Sequence, residues 1–222
     1  MSVAHYQFRT AVCAFSKMPT EMAARLLPGS LRPLEVTHGA GVFAAVALDF
    51  VESEVGPFRE IVLAVVVPPV PDGQGSYPKA AFFPLVVGTT TPASREMAVE
   101  RWRLPHYPRD VEISFQELDG RMNVFVYDSG DPVVDLAVTR RKWNPVEQRY
   151  QSFTQDDDGA FKVEINMRGN LSVHEEEQGI LRLHDHPLFR DLDREEVDTI
   201  PFRELWMADG VRSFEGIEAR TP

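Results

Sequence analysis

The stretch TPASREMAVERWRLPHYPRDVEI, residues 91–113, constrains the fold most, because it combines a helix start with prolines that end the helix. Thr91 can cap a helix, and Pro92 can take its first position, where the missing N–H of proline costs nothing. Pro105 cannot continue a helix, since proline removes a donor and restricts the residue before it. The pattern predicts a short helix to about Trp102 and a rigid return, which we interpret as the floor of a site.

Runs of β-favouring residues lie on both sides of this helix. The strongest is FREIVLAVVVPPV, residues 58–70, whose apolar run predicts a deeply buried strand that proline ends. Residues 111–128 have the pattern of a hairpin around Asp119 and Gly120. The sequence therefore predicts one domain over residues 1–222. Its fold class is mainly β (α+β), a curved or closed antiparallel β-barrel with a few short helices.

Composition narrows the class of partner and the compartment. The 43% of hydrophobic residues suffices for a folded core, and no apolar run approaches the ~20 residues that cross a bilayer. A formal net charge of −11 repels phosphate backbones and anionic lipid, so nucleic acid and membranes are not expected partners. Cys13 is the only cysteine, and the first residues lack the pattern of a signal peptide. We expect a cytoplasmic location.

Common catalytic and cofactor motifs are missing from the sequence. It has no Gly-x-Ser-x-Gly elbow and no Gly-rich turn for a nucleotide. His184 and His186 flank Asp185 and suggest a metal, but a third ligand at a familiar spacing is missing. We therefore expect no metal and no cofactor, and the interior of the barrel is the default place for any activity.

Four phrases, in order along the chain, resemble the acetoacetate decarboxylase family. They are EMAARLLPGSLRPLEV, GPFREIVLAVVV, SREMAVERWRLPHYPRDV and HDHPLFRDL. Members of that family fold as a curved β-barrel with a short helix across one mouth. The resemblance implies the same fold, a small keto or carboxylic acid as ligand, a lyase-like activity and a homo-oligomer.

The lysine on which that family's chemistry depends has no counterpart in this chain. In the family a lysine forms a Schiff base with a β-keto acid, and a neighbouring cation lowers its pKa. A gapless match from Ser94 puts Trp102 at the lysine and Arg103 at the cation, whereas a match anchored on Pro105 puts His106 at the lysine. Both alternatives lack the amine, so decarboxylation through an imine is not expected.

Other family positions are partly retained. The resemblance places Arg9 near the substrate carboxylate and Glu60 in the pocket, while Ala44 replaces a second acidic residue. We expect Arg9 and Glu60 to face the cavity and pair there, because an unpaired buried charge is costly. The alternative is an ion pair at the barrel rim. His106 can act as a general acid or base near neutral pH, or it can be a half-exposed turn histidine.

These residues support two main hypotheses. In the first, the chain is an enzyme for a small organic acid, with Glu60 and His106 as catalytic residues and Arg9, Trp102 and Arg103 as substrate-binding residues. In the second, it is a non-catalytic barrel that binds a small molecule. A third possibility is that a lysine from elsewhere, such as Lys79, restores the Schiff base.

Overall fold

The computed structural model describes residues 4–71 and 77–220, most of which lie in strands. The strands are β1 (Ala4–Pro19), β2 (Glu35–Thr37), β3 (Ala40–Glu52), β4 (Phe58–Val67), β5 (Ala80–Thr89), β6 (Glu112–Leu118), β7 (Arg121–Asp128), β8 (Asp131–Thr139), β9 (Asn144–Asp156), β10 (Gly159–His174), β11 (Ile180–Leu183), β12 (Arg203–Phe214) and β13 (Glu218–Arg220). The helices are α1 (Thr20–Arg25), α2 (Pro92–Glu100) and two single-turn 3₁₀ helices, Pro187–Phe189 and Arg194–Glu196. No helix within the described ranges has the length and apolar character to span a membrane.

Seven strands form a closed barrel. They are hydrogen-bonded in the order β1, β12, β10, β9, β5, β4 and β3, and β3 closes the ring by pairing with β1. All of these pairs are antiparallel except β5 with β9, which run parallel over three residue pairs. The predicted closed barrel is confirmed, with this one short parallel contact as a departure from a purely antiparallel sheet.

A second sheet covers one side of the barrel. It is antiparallel, in the order β11, β8, β7 and β6. Ile61 and Val65, on the outer face of the barrel, belong to one buried cluster with Val124 and Leu136 of the second sheet. The largest hydrophobic core therefore lies between the two sheets and leaves the barrel interior separate.

The carboxylate of Glu204 ties β12 to the second sheet. It accepts hydrogen bonds from three backbone N–H groups, those of Thr139 (2.6 Å), Gln178 (3.2 Å) and Gly179 (2.7 Å). Glu204 is buried, so these bonds replace the water that its charge would otherwise require. They fix the second sheet against the barrel wall.

Helix α2 and the return after it lie at one end of the barrel. Thr91 caps the helix as predicted, since its Oγ1 accepts a hydrogen bond from the N–H of Ser94 (3.2 Å). The return then runs beside β5, where the N–H of Val87 donates to Pro105 O and the N–H of Tyr107 donates to Val87 O, both at 2.8 Å. The return thus acts as a short extra strand at the barrel end.

Asp128 anchors this return to the second sheet. Its carboxylate accepts hydrogen bonds from Tyr107 Oη (2.6 Å) and Ser129 Oγ (3.0 Å) and lies 2.5 Å from Arg109 and 3.2 Å from His186 Nε2. Burial by itself would raise the pKa of Asp128, but these hydrogen bonds and neighbouring charges outweigh it and hold the pKa below its ordinary value. Asp128 is therefore ionised at neutral pH and holds the return in place.

Candidate functional site

The barrel interior contains a cavity of about 90 Å³. A cavity of this size holds only a small molecule. Most of the lining is aliphatic or aromatic, and the uncharged polar groups on it are those of Cys13, Tyr150 and Ser152. Glu60 and Arg212 are the only charged residues among those that line the cavity in the described chain.

Glu60 and Arg212 form an ion pair across the barrel interior. Glu60 lies on β4 and Arg212 on β12, which are not neighbours in the barrel, and Arg212 Nη1 donates to Glu60 Oε1 at 3.0 Å. Only 9% of the Glu60 side chain and 13% of the Arg212 side chain are exposed. The Nε of Arg212 is buried and has no hydrogen-bond partner among the described residues. A buried donor without an acceptor is rare, and it marks a place where a ligand oxygen can bind.

Aromatic rings support this pair and close the adjacent end of the barrel. The guanidinium of Arg212 lies 4.5 Å from the ring centre of Phe214, which stacks on Trp102 at 4.6 Å. Trp102 is 5% exposed, and its Nε1 donates to Tyr6 Oη at 3.3 Å. The sequence predicts that Trp102 binds substrate, but it lies behind Phe214 and does not line the cavity. It contributes to the site by packing under the aromatic support of Arg212.

Arg9 does not face the cavity, which corrects the expectation from the sequence. In the pairing of β1 with β3, Phe8 and Thr10 lie opposite the consecutive residues Phe50 and Asp49, so Arg9 is an extra residue of β1. This bulge turns the side chain outward. Arg9 lies in an outer groove of about 650 Å³ between the barrel and the second sheet, where it pairs with Asp49 at 3.4 Å. Its side chain is 66% exposed.

Arg103 also lies away from the cavity. Its backbone has a φ of 50°, and its guanidinium binds Asp156 and Asp158 at the surface, each at 2.7 Å. The next residue, Leu104, contributes its side chain to the cavity wall instead. The left-handed conformation at Arg103 breaks the regular alternation of side chains, so the sequence-based placement of Arg103 at the site is corrected.

His106 lies beside the cavity wall but is not part of the lining. Its Nδ1–H donates to the backbone oxygen of Tyr107, so the neutral ring leaves Nε2 to accept from Thr89 Oγ1 at 3.0 Å. Thr89 is opposite Glu60 in the β4–β5 ladder. Burial lowers the pKa of His106, which favours the neutral imidazole at pH 7. His106 therefore orients Thr89, the cross-strand neighbour of Glu60.

The uncharged polar groups of the cavity stay protonated at neutral pH. Burial raises the pKa of the Cys13 thiol and of the Tyr150 hydroxyl. Tyr150 Oη donates to Gln148 Oε1 at 2.5 Å. Neither group is a ready nucleophile in this environment.

No lysine lines the cavity, and all four lysines of the chain lie within the described ranges. Lys162 is held by Glu164 and Glu218, at 3.1 Å and 3.0 Å from its Nζ. Lys79 is exposed, and its backbone N–H donates to Arg149 O at 2.8 Å. The other two are Lys17 and Lys142.

His184 and His186 bind different carboxylates. His184 Nε2 lies 3.0 Å from Asp135, whereas His186 Nε2 lies 3.2 Å from Asp128. The two imidazoles thus serve separate structural contacts.

Sequence reasoning missed Arg212, the cation that does lie in the cavity. Leu205 and Met207 of β12 line the cavity, and regular alternation would continue with Asp209. Asp209 instead has a φ of 49°, and β12 has one residue more than β10 between Ala208 and Val211. The residues after this bulge therefore lie on the opposite side of the strand from the one that alternation predicts, and Arg212 turns inward. The Asp209-Gly210 pair was the available signal, because this dipeptide is typical of turns and bulges.

Comparisons with known proteins place the fold. No protein-family model matches the sequence, and no curated protein does. Among solved structures, the enduracididine biosynthesis enzyme MppR complexed with pyruvate has a TM-score of 0.65 at 13% identity, covering 98% of this chain and 90% of that chain. An acetoacetate decarboxylase from Legionella pneumophila has a TM-score of 0.65 at 13% identity, covering 97% of this chain and 87% of that one.

A third similar structure is an acetoacetate decarboxylase-like enzyme from Sphingomonas wittichii RW1, with a TM-score of 0.61 at 11% identity, covering 99% of this chain and 93% of that one. Likeness at these identities concerns the fold. The chain has an acetoacetate decarboxylase-like barrel, and the fold implied by the four sequence phrases is confirmed.

Proposed function

We propose that the barrel cavity binds a small keto or carboxylic acid, with the carboxylate held by Arg212. The observation that carries the proposal is the buried Arg212 guanidinium, which binds Glu60 with one nitrogen and leaves Nε without an acceptor. A guanidinium binds a carboxylate through two parallel hydrogen bonds, and such charge-assisted bonds are strong where water is excluded. The complex of MppR with pyruvate, a structure of the same fold, supports the choice of ligand class.

The size and the walls of the cavity favour a short ligand. A volume of about 90 Å³ suits an acid the size of pyruvate, and the apolar lining suits a short carbon chain or methyl group. Glu60 holds the opposite side of the guanidinium, so Arg212 keeps its orientation when the cavity is empty. This preorganisation lowers the cost of binding.

Two versions of this function differ in the fate of the bound acid. In the enzymatic version, Glu60 takes a proton from the carbon beside the keto group while Arg212 holds the carboxylate, and no imine forms because no lysine lines the cavity. In the non-catalytic version, the acid is bound and released unchanged. The ion pair of Glu60 with Arg212 at 3.0 Å favours this second version, since it occupies one of the two oxygens of the carboxylate that would accept the proton.

Calorimetry with pyruvate and with pyruvamide tests the binding proposal. The two compounds have nearly the same size, but only pyruvate carries the charge that Arg212 recognises. We expect binding of pyruvate to be tighter by about tenfold or more, as one charge-assisted contact of ~1.5 kcal/mol implies. Equal affinity for both compounds, or no binding of either, would remove Arg212 from this role.

Proton exchange separates the two versions. In heavy water, proton transfer by Glu60 would replace the methyl protons of pyruvate with deuterium, which NMR measures directly. The enzymatic version predicts exchange that the Glu60→Gln variant loses. Binding without exchange supports the non-catalytic version. In both versions borohydride with a keto acid leaves no mass adduct on the protein.

We also propose that the chain forms a homo-oligomer, which the resemblance to the acetoacetate decarboxylase family implied. Light scattering coupled to size exclusion measures this directly. A monomer at high protein concentration would contradict it.

A further inference from the structure

A slot in the barrel wall lies between β5 and β9. The two strands pair only at residues 80–82 of β5. Pro84, the next residue of β5 that faces the cavity, has no N–H to donate, so the ladder cannot continue through it. The return pairs with β5 only from Val87 onward. Between these two points, β5 has no hydrogen-bonded strand on this side within residues 4–71 and 77–220.

An outer pocket of about 350 Å³ opens at this slot. Phe83 and Leu85, which face outward from β5, form part of its wall. Pro84 and Thr154 also form part of it, although side-chain alternation puts Thr154 on the inner face with Ser152, which lines the cavity. The outer pocket therefore extends into the thickness of the barrel wall at the slot.

A single layer of side chains separates the outer pocket from the cavity. Pro84 borders both spaces. Leu104 lines the cavity, and the next residue, Pro105, lines the outer pocket. The hydroxyl of Thr154 is buried in this layer and has no hydrogen-bond partner among the described residues. The barrier is thus one residue thick and lacks the hydrogen-bonded ladder that closes the rest of the wall.

The end of the barrel beside α2, unlike the slot, is closed. Tyr6, Phe50 and Phe58 pack with ring centres 4.8–6.3 Å apart, and Phe214 stacks on Trp102 beside them. All five rings are buried. A molecule entering from this end would have to displace several stacked rings, whereas the slot requires movement of one layer.

We propose that the slot between β5 and β9 is the entrance to the barrel cavity, and that Pro84 and Leu104 set the size of molecule that passes. The molecules that fit are small and narrow, in keeping with the cavity behind them. This route concerns access alone and does not depend on the identity of the ligand. If the cavity does not bind acids, the proposed entrance is therefore unaffected. If the entrance lies elsewhere, the proposal of acid binding is likewise unaffected.

Cys13 provides the test, because it is the only cysteine of the chain and it lines the cavity. Methyl methanethiosulfonate is small and neutral, and it modifies the thiolate with loss of methanesulfinate. The rate at about pH 8.5, followed by intact mass, depends on the access of the reagent and on the small thiolate fraction of this buried thiol, so each variant is compared with the wild type at the same pH. Leu85→Trp fills the outer pocket, and we expect it to slow modification by about tenfold or more, since packed side chains leave little free space.

Leu118→Trp is the matched control, because Leu118 lies on β6 of the second sheet and is 67% exposed. We expect its rate to equal that of the wild type. Leu104→Ala thins the barrier and should speed modification several-fold. If Leu85→Trp does not fold, two other results decide the question. They are the faster modification of Leu104→Ala and a slower modification of the wild type by benzyl methanethiosulfonate, which is bulkier than the methyl reagent.

Equal rates for the wild type and the folded slot variants would overturn the proposal. A wild-type rate that rises with urea in step with global unfolding would overturn it too, because Cys13 would then be reached only in the unfolded chain.

Discussion

Changing Trp102 to Ala tests whether this residue closes the barrel end or is a dispensable part of a binding surface. The indole is 5% exposed, stacks on Phe214 at 4.6 Å and donates to Tyr6 at 3.3 Å. Truncating a buried Trp to Ala costs about 3–5 kcal/mol, because the transfer energy is lost and a cavity remains. At ~2–4 °C per kcal/mol for a chain of this size, the melting temperature should fall by roughly 6–20 °C.

Two further variants are compared with Trp102→Ala, one that keeps a ring at this position and one that serves as a control. Trp102→Phe keeps a ring against Phe214 but removes the indole N–H, so we expect a smaller loss of about 1–2 kcal/mol. Trp143→Ala is the matched control, since Trp143 is half-buried and contacts Trp206 edge-on at 5.3 Å. It should lose about 1–2 kcal/mol.

Urea unfolding followed by circular dichroism measures all three variants on one scale. A loss below about 1 kcal/mol for Trp102→Ala would refute the reasoning, because a surface substitution costs no more than this. So would equal losses for Trp102→Ala and Trp143→Ala. Either result would mean that the aromatic support of Arg212 is not rigid.

Three other substitutions test the contacts that hold the site. Asp128 has a pKa below its ordinary value of 3.8, so its ionised form stabilises the fold above that pH and the contribution is lost as the pH falls through the folded-state pKa. The stability difference between wild type and Asp128→Asn, from urea unfolding at several pH values, should be constant near neutral pH and shrink below about pH 4. Glu204→Ala removes the acceptor of three backbone N–H groups, of which that of Gly179 is buried, and should cost at least about 1–3 kcal/mol, as measured by thermal unfolding. Gly210→Ala places a Cβ into the ring of Phe8 and should destabilise by about 1–3 kcal/mol or prevent folding, which expression and circular dichroism reveal.

Helix α2 and the architecture around it could be predicted from sequence, because local chemistry decides them. Thr91 caps and Pro92 starts the helix, and the hairpin at Asp119 and Gly120 has both residues at positive φ, as a tight hairpin turn requires. The barrel was predicted from strand-forming runs and from the order of four phrases along the chain. The helix and hairpin signals depend on neighbouring residues alone.

The side of the strand on which each charged residue lies could not be predicted, because bulges reverse the alternation of side chains. Regular alternation along β1 puts Arg9 on the same face as Ala11 and Cys13, which line the cavity. One extra residue in β1 relative to β3 at Arg9, and one in β12 relative to β10 beside Asp209, each changes the side on which later residues lie. The pairing partners that create a bulge come from distant parts of the chain, so the pattern of a single strand does not reveal it.

The binding of pyruvate to Arg212→Gln and to Arg9→Gln tests the central claim most directly. Both substitutions remove one positive charge, but Arg212 lines the cavity and Arg9 lies in the outer groove. Calorimetry should show about a tenfold to hundredfold loss of affinity for folded Arg212→Gln, from a charge-assisted interaction of ~1.5–3 kcal/mol. Arg9→Gln should bind as the wild type does. A loss in Arg9→Gln with none in Arg212→Gln would contradict the account and move the acid site to the outer groove.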